Sequence, residues 1–201
     1  MILDPGTISP GDFYRFMISV IVPRPIAFVS TMNADGHHNV APFSYYNAIT
    51  NQPPLIGISI NHRRGNPKDT YRNIEQTKEF VVNTVDEALG ARMVQTSGEW
   101  PEDVDEFQVA GLTPVPSDLV KPPRVGESPV SLECRLYRSI ELGTTFFVVG
   151  EILRAHVRDD VLSEGRVDIA RLKPLGRLGG DGYSVVRDVI HMPRPRVDAK
   201  T

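Results

Sequence analysis

Pro25-Ile26-Ala27-Phe28-Val29-Ser30-Thr31-Met32, then Asn33-Ala34-Asp35-Gly36, then Asn39-Val40-Ala41-Pro42-Phe43-Ser44 is the stretch that decides the fold class. The first segment is an apolar run of strand length and buried character. The second is a turn signal, and the third reads as the returning strand. A hairpin this early argues against a purely parallel sheet. His37 and His38 fall in or beside the turn and read as solvated loop histidines.

Working outward, Ser9 to Met17 predicts a short helix capped by Ser9, with Pro10 in the first turn and Phe13, Phe16 and Met17 on one face. Leu55 to Ile60 is a strand of mostly branched residues. A helix is expected from Pro67 to about Lys78, a strand over Glu79 to Val85, and a helix capped by Asp86 running through Leu89, Met93 and Val94. Prolines 101, 114, 116, 122 and 123 punctuate Ser97 to Ser128, which reads as a long surface excursion with short helical turns. Two long strands follow, Val130 to Ile140 and Thr145 to Val157. About six strands with a few helices make a mainly β protein with peripheral helices, best fitted by an antiparallel barrel. The expected organisation is one domain over residues 1–201, its core at about 9–157 and an irregular C-terminal segment at 174–201.

Composition narrows the function classes. A net charge of −3 implies no general attraction to nucleic acid or acidic membranes. Cys134 is the sole cysteine, which removes disulfides and Cys-x-x-Cys motifs, and its place between Leu132 and Leu136 reads as a structural thiol. The five histidines form no His-Glu-x-x-His motif, so no metal site is expected. No stretch approaches the ~20 apolar residues of a membrane helix, and no basic-then-apolar leader precedes the fold. A cytoplasmic protein is the expectation. Gly176, Gly179, Gly180 and Gly182 neither follow a buried strand nor open an amphipathic helix, so they read as a flexible loop and not a dinucleotide fingerprint. Walker A and Gly-x-Ser-x-Gly sequences are absent.

Two polar regions remain. In Asn61-His62-Arg63-Arg64-Gly65-Asn66-Pro67-Lys68-Asp69-Thr70, Asn66 can cap a helix and Pro67 can take its first position. The first-turn N–H groups at Lys68, Asp69 and Thr70 would then point out of the helix end, beside Arg63, Arg64 and Lys68, and attract an anion such as phosphate. The same segment also reads as a solvated, well-capped helix start with incidental basic residues. The second region, Asn39 to Asn47, offers small residues for close backbone approach, then aromatics, then amide and hydroxyl groups, a surface suited to a flat heteroaromatic ligand. Phe43, Tyr45 and Tyr46 are equally readable as core packing. Ser59 and Asn61 alternate on one strand and share a face. A ligand with an aromatic head and a phosphate tail would fit both regions.

Arg24-Pro25-Ile26-Ala27-Phe28-Val29-Ser30-Thr31, Asn39-Val40-Ala41-Pro42-Phe43-Ser44, Pro53-Pro54-Leu55, Lys68-Asp69-Thr70, Glu79-Phe80-Val81-Val82-Asn83 and Ala110-Gly111-Leu112, in that order, resemble the flavin reductase-like family. The likeness covers most of residues 9 to 157. It implies an antiparallel FMN-binding split β-barrel, a homodimer with FMN near the subunit interface, and NAD(P)H as reductant. It implies that Thr31 and Ala41, Pro42, Phe43 and Ser44 border the isoalloxazine ring. Ser59, Asn61, Arg63, Lys68, Asp69 and Thr70 would hold the ribityl chain and phosphate. Asp69 would repel phosphate, so it is expected to cap the helix or to orient Lys68 or Arg63. Some relatives carry a histidine before the strand that here starts at Thr145, where this chain reads Leu142-Gly143-Thr144. His156 further along reads as structural.

The reading favoured is an NAD(P)H:flavin oxidoreductase in which the flavin carries the chemistry and no side chain is catalytic. The alternatives are a flavoredoxin-like FMN carrier serving a protein partner, and a barrel that binds a phosphorylated ligand without redox chemistry. A monooxygenase, free flavin or another protein would be the electron acceptor, and nothing in the residues selects NADH over NADPH.

Overall fold

The computed structural model describes residues 1–101 and 104–195. In chain order its elements are α1 (Pro10–Val20), β1 (Arg24–Pro25), β2 (Ala27–Met32), β3 (His38–Phe43), β4 (Tyr46–Asn51), β5 (Pro54–Asn61), α2 (Asp69–Thr77), β6 (Glu79–Thr84), α3 (Gly90–Thr96), α4 (Glu106–Val109), β7 (Pro114–Val115), β8 (Arg124–Val125), β9 (Val130–Leu142), β10 (Thr145–Val157), β11 (Leu162–Ser163), β12 (Arg166–Val167), α5 (Ile169–Leu172), β13 (Leu175–Arg177) and β14 (Tyr183–Val185). The protein is mainly β, as expected, with α1 capped by Ser9, whose hydroxyl accepts from the Asp12 N–H.

Seven strands form one sheet in the order β3-β2-β6-β9-β10-β5-β4, and every pairing in it is antiparallel. Its edge strands β3 and β4 are joined by only Ser44 and Tyr45. Seven strands laid flat would part those edges by roughly 29 Å at ~4.8 Å per strand, whereas three Cα steps cover about 11 Å. The sheet must therefore curl until its edges nearly meet. They do not pair with each other, so the ladder stays open along that seam and the expected barrel is not a closed one.

Curling gives the sheet two covered faces. Along β2, Ala27 and Val29 join Ile58, Ile60, Phe80, Val82, Cys134 and Val148 in the inner cluster. Phe28, between them, points outward to a second cluster with Val40, Leu89, Met93 and Phe107 under α3 and α4. A strand covered on both faces reads as a continuous apolar run, which is why Ala27 to Ser30 shows no polar alternation. Cys134 lies in the inner cluster with no exposure, and burial pushes its thiol well above the usual range, as a structural thiol requires.

Several local expectations are corrected. Helix α2 starts at Asp69 with Lys68 at its N-cap and no side-chain cap, not at Pro67 under Asn66. The reason lies upstream. Arg63 and Asn66 exchange main-chain hydrogen bonds of 2.7 and 3.0 Å, with positive φ at Arg64 (51°) and Gly65 (82°), the pattern of a tight hairpin turn. Asn66 is committed to that turn. Asp86 accepts from the Leu89 N–H at 2.8 Å and caps a turn, while α3 itself begins at Gly90. Strand β4, mostly exposed at the sheet edge, lacked any alternating signal and was not expected.

The C-terminal segment is also more regular than expected. β13 and β14 form a hairpin and β13 pairs with β1, with Gly179 and Gly182 closing the turn through a 3.1 Å main-chain bond. The part of the expected irregular segment at 196–201 lies outside the described residues. Among the described residues no helix is long and apolar enough to cross a membrane.

Candidate functional site

A cavity of about 440 Å³ opens where the end of β3, the 62–64 turn, the start of α2, the C-terminus of α3 and α4 converge. Ala41, Pro42, Arg63, Lys68, Asp69 and Thr70, all site residues expected from sequence, line it. They arrive from segments twenty or more residues apart because the curled sheet brings β3 beside α2.

The basic side chains of this cavity differ in their counter-ions. Glu99 Oε2 holds Arg64 at 2.6 Å and Arg63 at 3.4 Å. Lys68 is half-buried, with its ammonium 5.4 Å from the centre of the Phe43 ring, a cation–π contact. Burial, then the nearby Arg63, lowers its pKa against the opposing pull of Glu99. An anion entering here would relieve both penalties. Asp69 is bonded to Arg72 one turn along α2, so it neither caps the helix nor orients Lys68 or Arg63. Its negative charge at the first position of α2 also suits the helix dipole.

Thr70 is buried, and its Oγ1 accepts from Asn39 Nδ2 at 3.0 Å, which leaves its own O–H free to donate. Asn39 also reaches Thr31 Oγ1 at 3.4 Å, and Asn73 donates to the same oxygen at 3.1 Å. Thr31 has no exposure; it lies behind the wall and acts on the cavity only by orienting Asn39. His62 lines the cavity, packs at a tilt against Phe146 with ring centroids 4.7 Å apart, and has a buried Nε2 with no partner. An orphaned buried nitrogen costs stability unless something meets it.

Of the other expected residues, Phe43 and Ser44 line a second, neighbouring cavity. Ser59 gives its N–H to Tyr45 at 2.8 Å, and exposed Asn61 accepts from Thr145 Oγ1 at 2.7 Å; neither lines the first cavity. Sequence reasoning left His62, Glu99, Trp100 and Glu106 out of the site, although all four line it. Trp100 is the only tryptophan and lies so close over Gly98 that a Cβ there would stand 2.9 Å from its indole nitrogen. Glu106 is buried at 8% exposure, with Val40 N–H 3.3 Å from its Oε2. Burial raises its pKa to about 7, with Asp69 and Asp105 adding to the effect against the hydrogen bonds.

His156 lies at the far end of β10, its Nε2 2.5 Å from buried Glu133. Burial pushes the Glu133 carboxyl up, but N–H groups of Asp118 and Leu119 at 2.8 and 2.6 Å together with His156 hold it below the usual range. Asp118, Glu133 and His156 place candidate ligand atoms within 4.8 Å of one another. The Glu133 oxygens are already engaged and Arg154 binds Asp118 at 2.7 Å, so this cluster ties the 118–119 loop to the sheet, the structural role expected of His156.

Comparison with known proteins agrees with this architecture. The family model for a flavin reductase like domain matches residues 19–175. The structure of nitrilotriacetate monooxygenase component B from Bacillus cereus superposes with a TM-score of 0.93 at 33% identity, covering 96% of this chain and 98% of that one. For the 2-nitrobenzoate 2-nitroreductase of Pseudomonas fluorescens the TM-score is 0.90 at 31% identity, with both chains fully covered. The flavoredoxin of Desulfovibrio vulgaris (Miyazaki F) follows at 0.78 and 26% identity, covering 96% of this chain and 97% of that one.

Proposed function

The chain belongs to the flavin reductase-like domain family, and from that premise we propose that it binds FMN in the cavity between β3 and α2 and accepts a hydride on it from NAD(P)H. One observation carries the phosphate end of this reading. The buried, unpartnered Nε2 of His62 lines the same cavity as Lys68, whose charge is penalised by burial and by Arg63. A phosphate would partner both. Arg63, Lys68 and the free O–H of Thr70 would hold it, along with the first-turn N–H groups of α2.

FMN, when bound, supplies the two-electron chemistry. The chain's own part is placement. Pro42 and the main chain around Ala41 flank the ring end of the cavity, and Asn39, held by Thr31 and Thr70, presents an amide there. Trp100 and Pro42 line the same cavity. No side chain of the cavity need act as a dedicated acid or base for that chemistry. Phe16 and Val20 on α1 and Ile21 just after it are exposed, which supports a homodimer that would cover them.

The test is anaerobic: FMN-loaded protein is mixed with NADH or NADPH and the flavin absorbance followed. Bleaching by either is expected. Stable colour with millimolar amounts of both would refute the reductase assignment. A second reading, an FMN carrier serving a protein partner, is favoured by His156 being committed to Glu133, far from the Thr145 end of β10. Retention of FMN through gel filtration without bleaching by nicotinamides would select it.

A further inference from the structure

Glu99 is carried on the segment that leaves α3, and side-chain bonds pin this segment on either side of it. Before it, the Ser97 hydroxyl donates to the Val94 carbonyl at 2.6 Å; after it, the Trp100 indole N–H donates to the Gln95 carbonyl at 3.0 Å. The Glu99 side chain itself is exposed and meets two guanidiniums of the 63–64 turn with a single oxygen. Resting on the FMN assignment, we propose that Glu99 competes with the nucleotide's phosphate for Arg63, and so makes the flavin an exchanging ligand rather than a permanently held one.

Charge sets up the competition. Arg63, Arg64 and Lys68 all line the first cavity. Of the acids that line it, Asp69 is bonded to Arg72, and Glu106 is buried, which pushes its carboxyl up to about 7. Among the described residues Glu99 is the acid left to serve these cations, and one carboxylate cannot neutralise all three. The groups also share one field: burial first, then Arg63, lowers the Lys68 pKa, and Glu99 opposes the lowering. A phosphate dianion held by Lys68 would therefore draw on Arg63 as well, and would repel Glu99.

Geometry decides which arginine changes hands. Glu99 Oε2 lies 2.6 Å from Arg64 Nη2, and the Arg64 side chain is 80% exposed. Its contact with Arg63 Nη2 is 3.4 Å, and the Arg63 side chain is only 34% exposed. The shorter pair has the length of a charge-assisted hydrogen bond and the longer one does not. Arg63 is thus the partner that Glu99 can give up, while Arg64 keeps the carboxylate close by. A competitor tethered in this way acts at high effective concentration and regains Arg63 whenever the phosphate moves off. Because exposed pairs are individually weak, Glu99 should tune the affinity several-fold without preventing binding.

Stopped-flow mixing of the full chain with FMN, read by quenching of Trp100, tests this. Glu99→Gln keeps the size of the side chain and removes its charge. FMN should leave this variant roughly fivefold more slowly and bind it about fivefold more tightly than the parent. Riboflavin, which lacks the phosphate, should bind both chains equally. With Arg63→Met in place, Glu99→Gln should no longer alter FMN binding. Weaker FMN binding in Glu99→Gln would make Glu99 a residue that orients Arg63 for the phosphate, and would overturn the competition. Unchanged rates, equal gains for FMN and riboflavin, or a gain that survives Arg63→Met would overturn it too. The flavin assignment fails separately: should neither chain take FMN, calorimetric titration with inorganic phosphate decides. Tighter phosphate in Glu99→Gln then upholds the competition for Arg63, and equal affinity, or no binding to either chain, overturns it.

Discussion

The two cavities that meet at Pro42 handle positive charge in opposite ways. In the first, the charges are side chains on a turn and a helix start, and Glu99 shares itself between Arg63 and Arg64 while Lys68 makes no ion pair among the described residues. In the second, Arg24 is neutralised by carbonyl dipoles from α1, from the segment after it and from the C-terminal hairpin. The first arrangement can lose a cation with little loss of fold. The second uses its cation to join three parts of the chain. The difference shows that a basic residue beside a pocket is a ligand group only when its hydrogen bonds are not already spent on the main chain.

That contrast predicts its largest effect at Arg24. Arg24→Met removes a buried donor group that the carbonyls of Ile18, Ile21 and Leu178 share and should lower the unfolding free energy by about 3–5 kcal/mol, read from urea denaturation. A loss below 1 kcal/mol would show that the carbonyls find water, and would erase the distinction between the cavities.

Glu106 comes next. Its folded pKa of about 7 lies above the ~4.3 of an unfolded glutamate. The fold therefore favours its neutral form, a contribution that is full below pH 4.3 and lost as pH rises through 7. Glu106→Gln, which stays neutral, should gain roughly 2 kcal/mol on the parent chain between pH 5 and pH 8. The same variant should flatten the fall in FMN affinity above pH 7 that a new negative charge in the cavity imposes. Parallel stability curves across that range would place Glu106 in contact with water and outside the cavity's electrostatics.

Lys68→Ala should weaken FMN by about 1–3 kcal/mol while leaving the denaturation midpoint within error, since this cation is not tied to the main chain. The quenching of Trp100, the sole tryptophan, gives the affinity directly. An equal loss of stability and affinity would make Lys68 resemble Arg24 and dissolve the comparison. The smallest effect is expected for His62→Phe, which keeps a ring against Phe146 and removes the orphaned nitrogen. Stability should hold or rise slightly, with FMN weaker by about 1 kcal/mol. Unchanged affinity would mean that His62 never meets the ligand.

Short-range pattern carried much of this molecule. The run from Pro25 to Met32, the Asn33–Gly36 turn and the return at Asn39 identify an antiparallel hairpin because side-chain alternation and turn chemistry act over a few residues. The long strands after Val130 were legible for the same reason, as was the Ser9 cap. The basic run at 63–70 marked one wall of a site. Its helix start was misplaced because the Arg63–Asn66 turn depends on backbone angles at Arg64 and Gly65 that residue type alone does not impose. Glu106 and Trp100 carried no local mark of function; an acid in a helix's first turn and a lone tryptophan look alike in a loop and in a binding site.

From its sequence alone this chain determined a mainly antiparallel β fold, one basic turn and the family to which both belong, since each is written in contacts between near neighbours. Tertiary structure decided the rest: that a two-residue link draws the sheet edges together, that Thr31 lies behind the cavity and His62 in it, and that a glycine-rich tail becomes a hairpin held by Arg24. Those outcomes follow from long-range packing and from buried polar groups that must find partners wherever the chain has brought them.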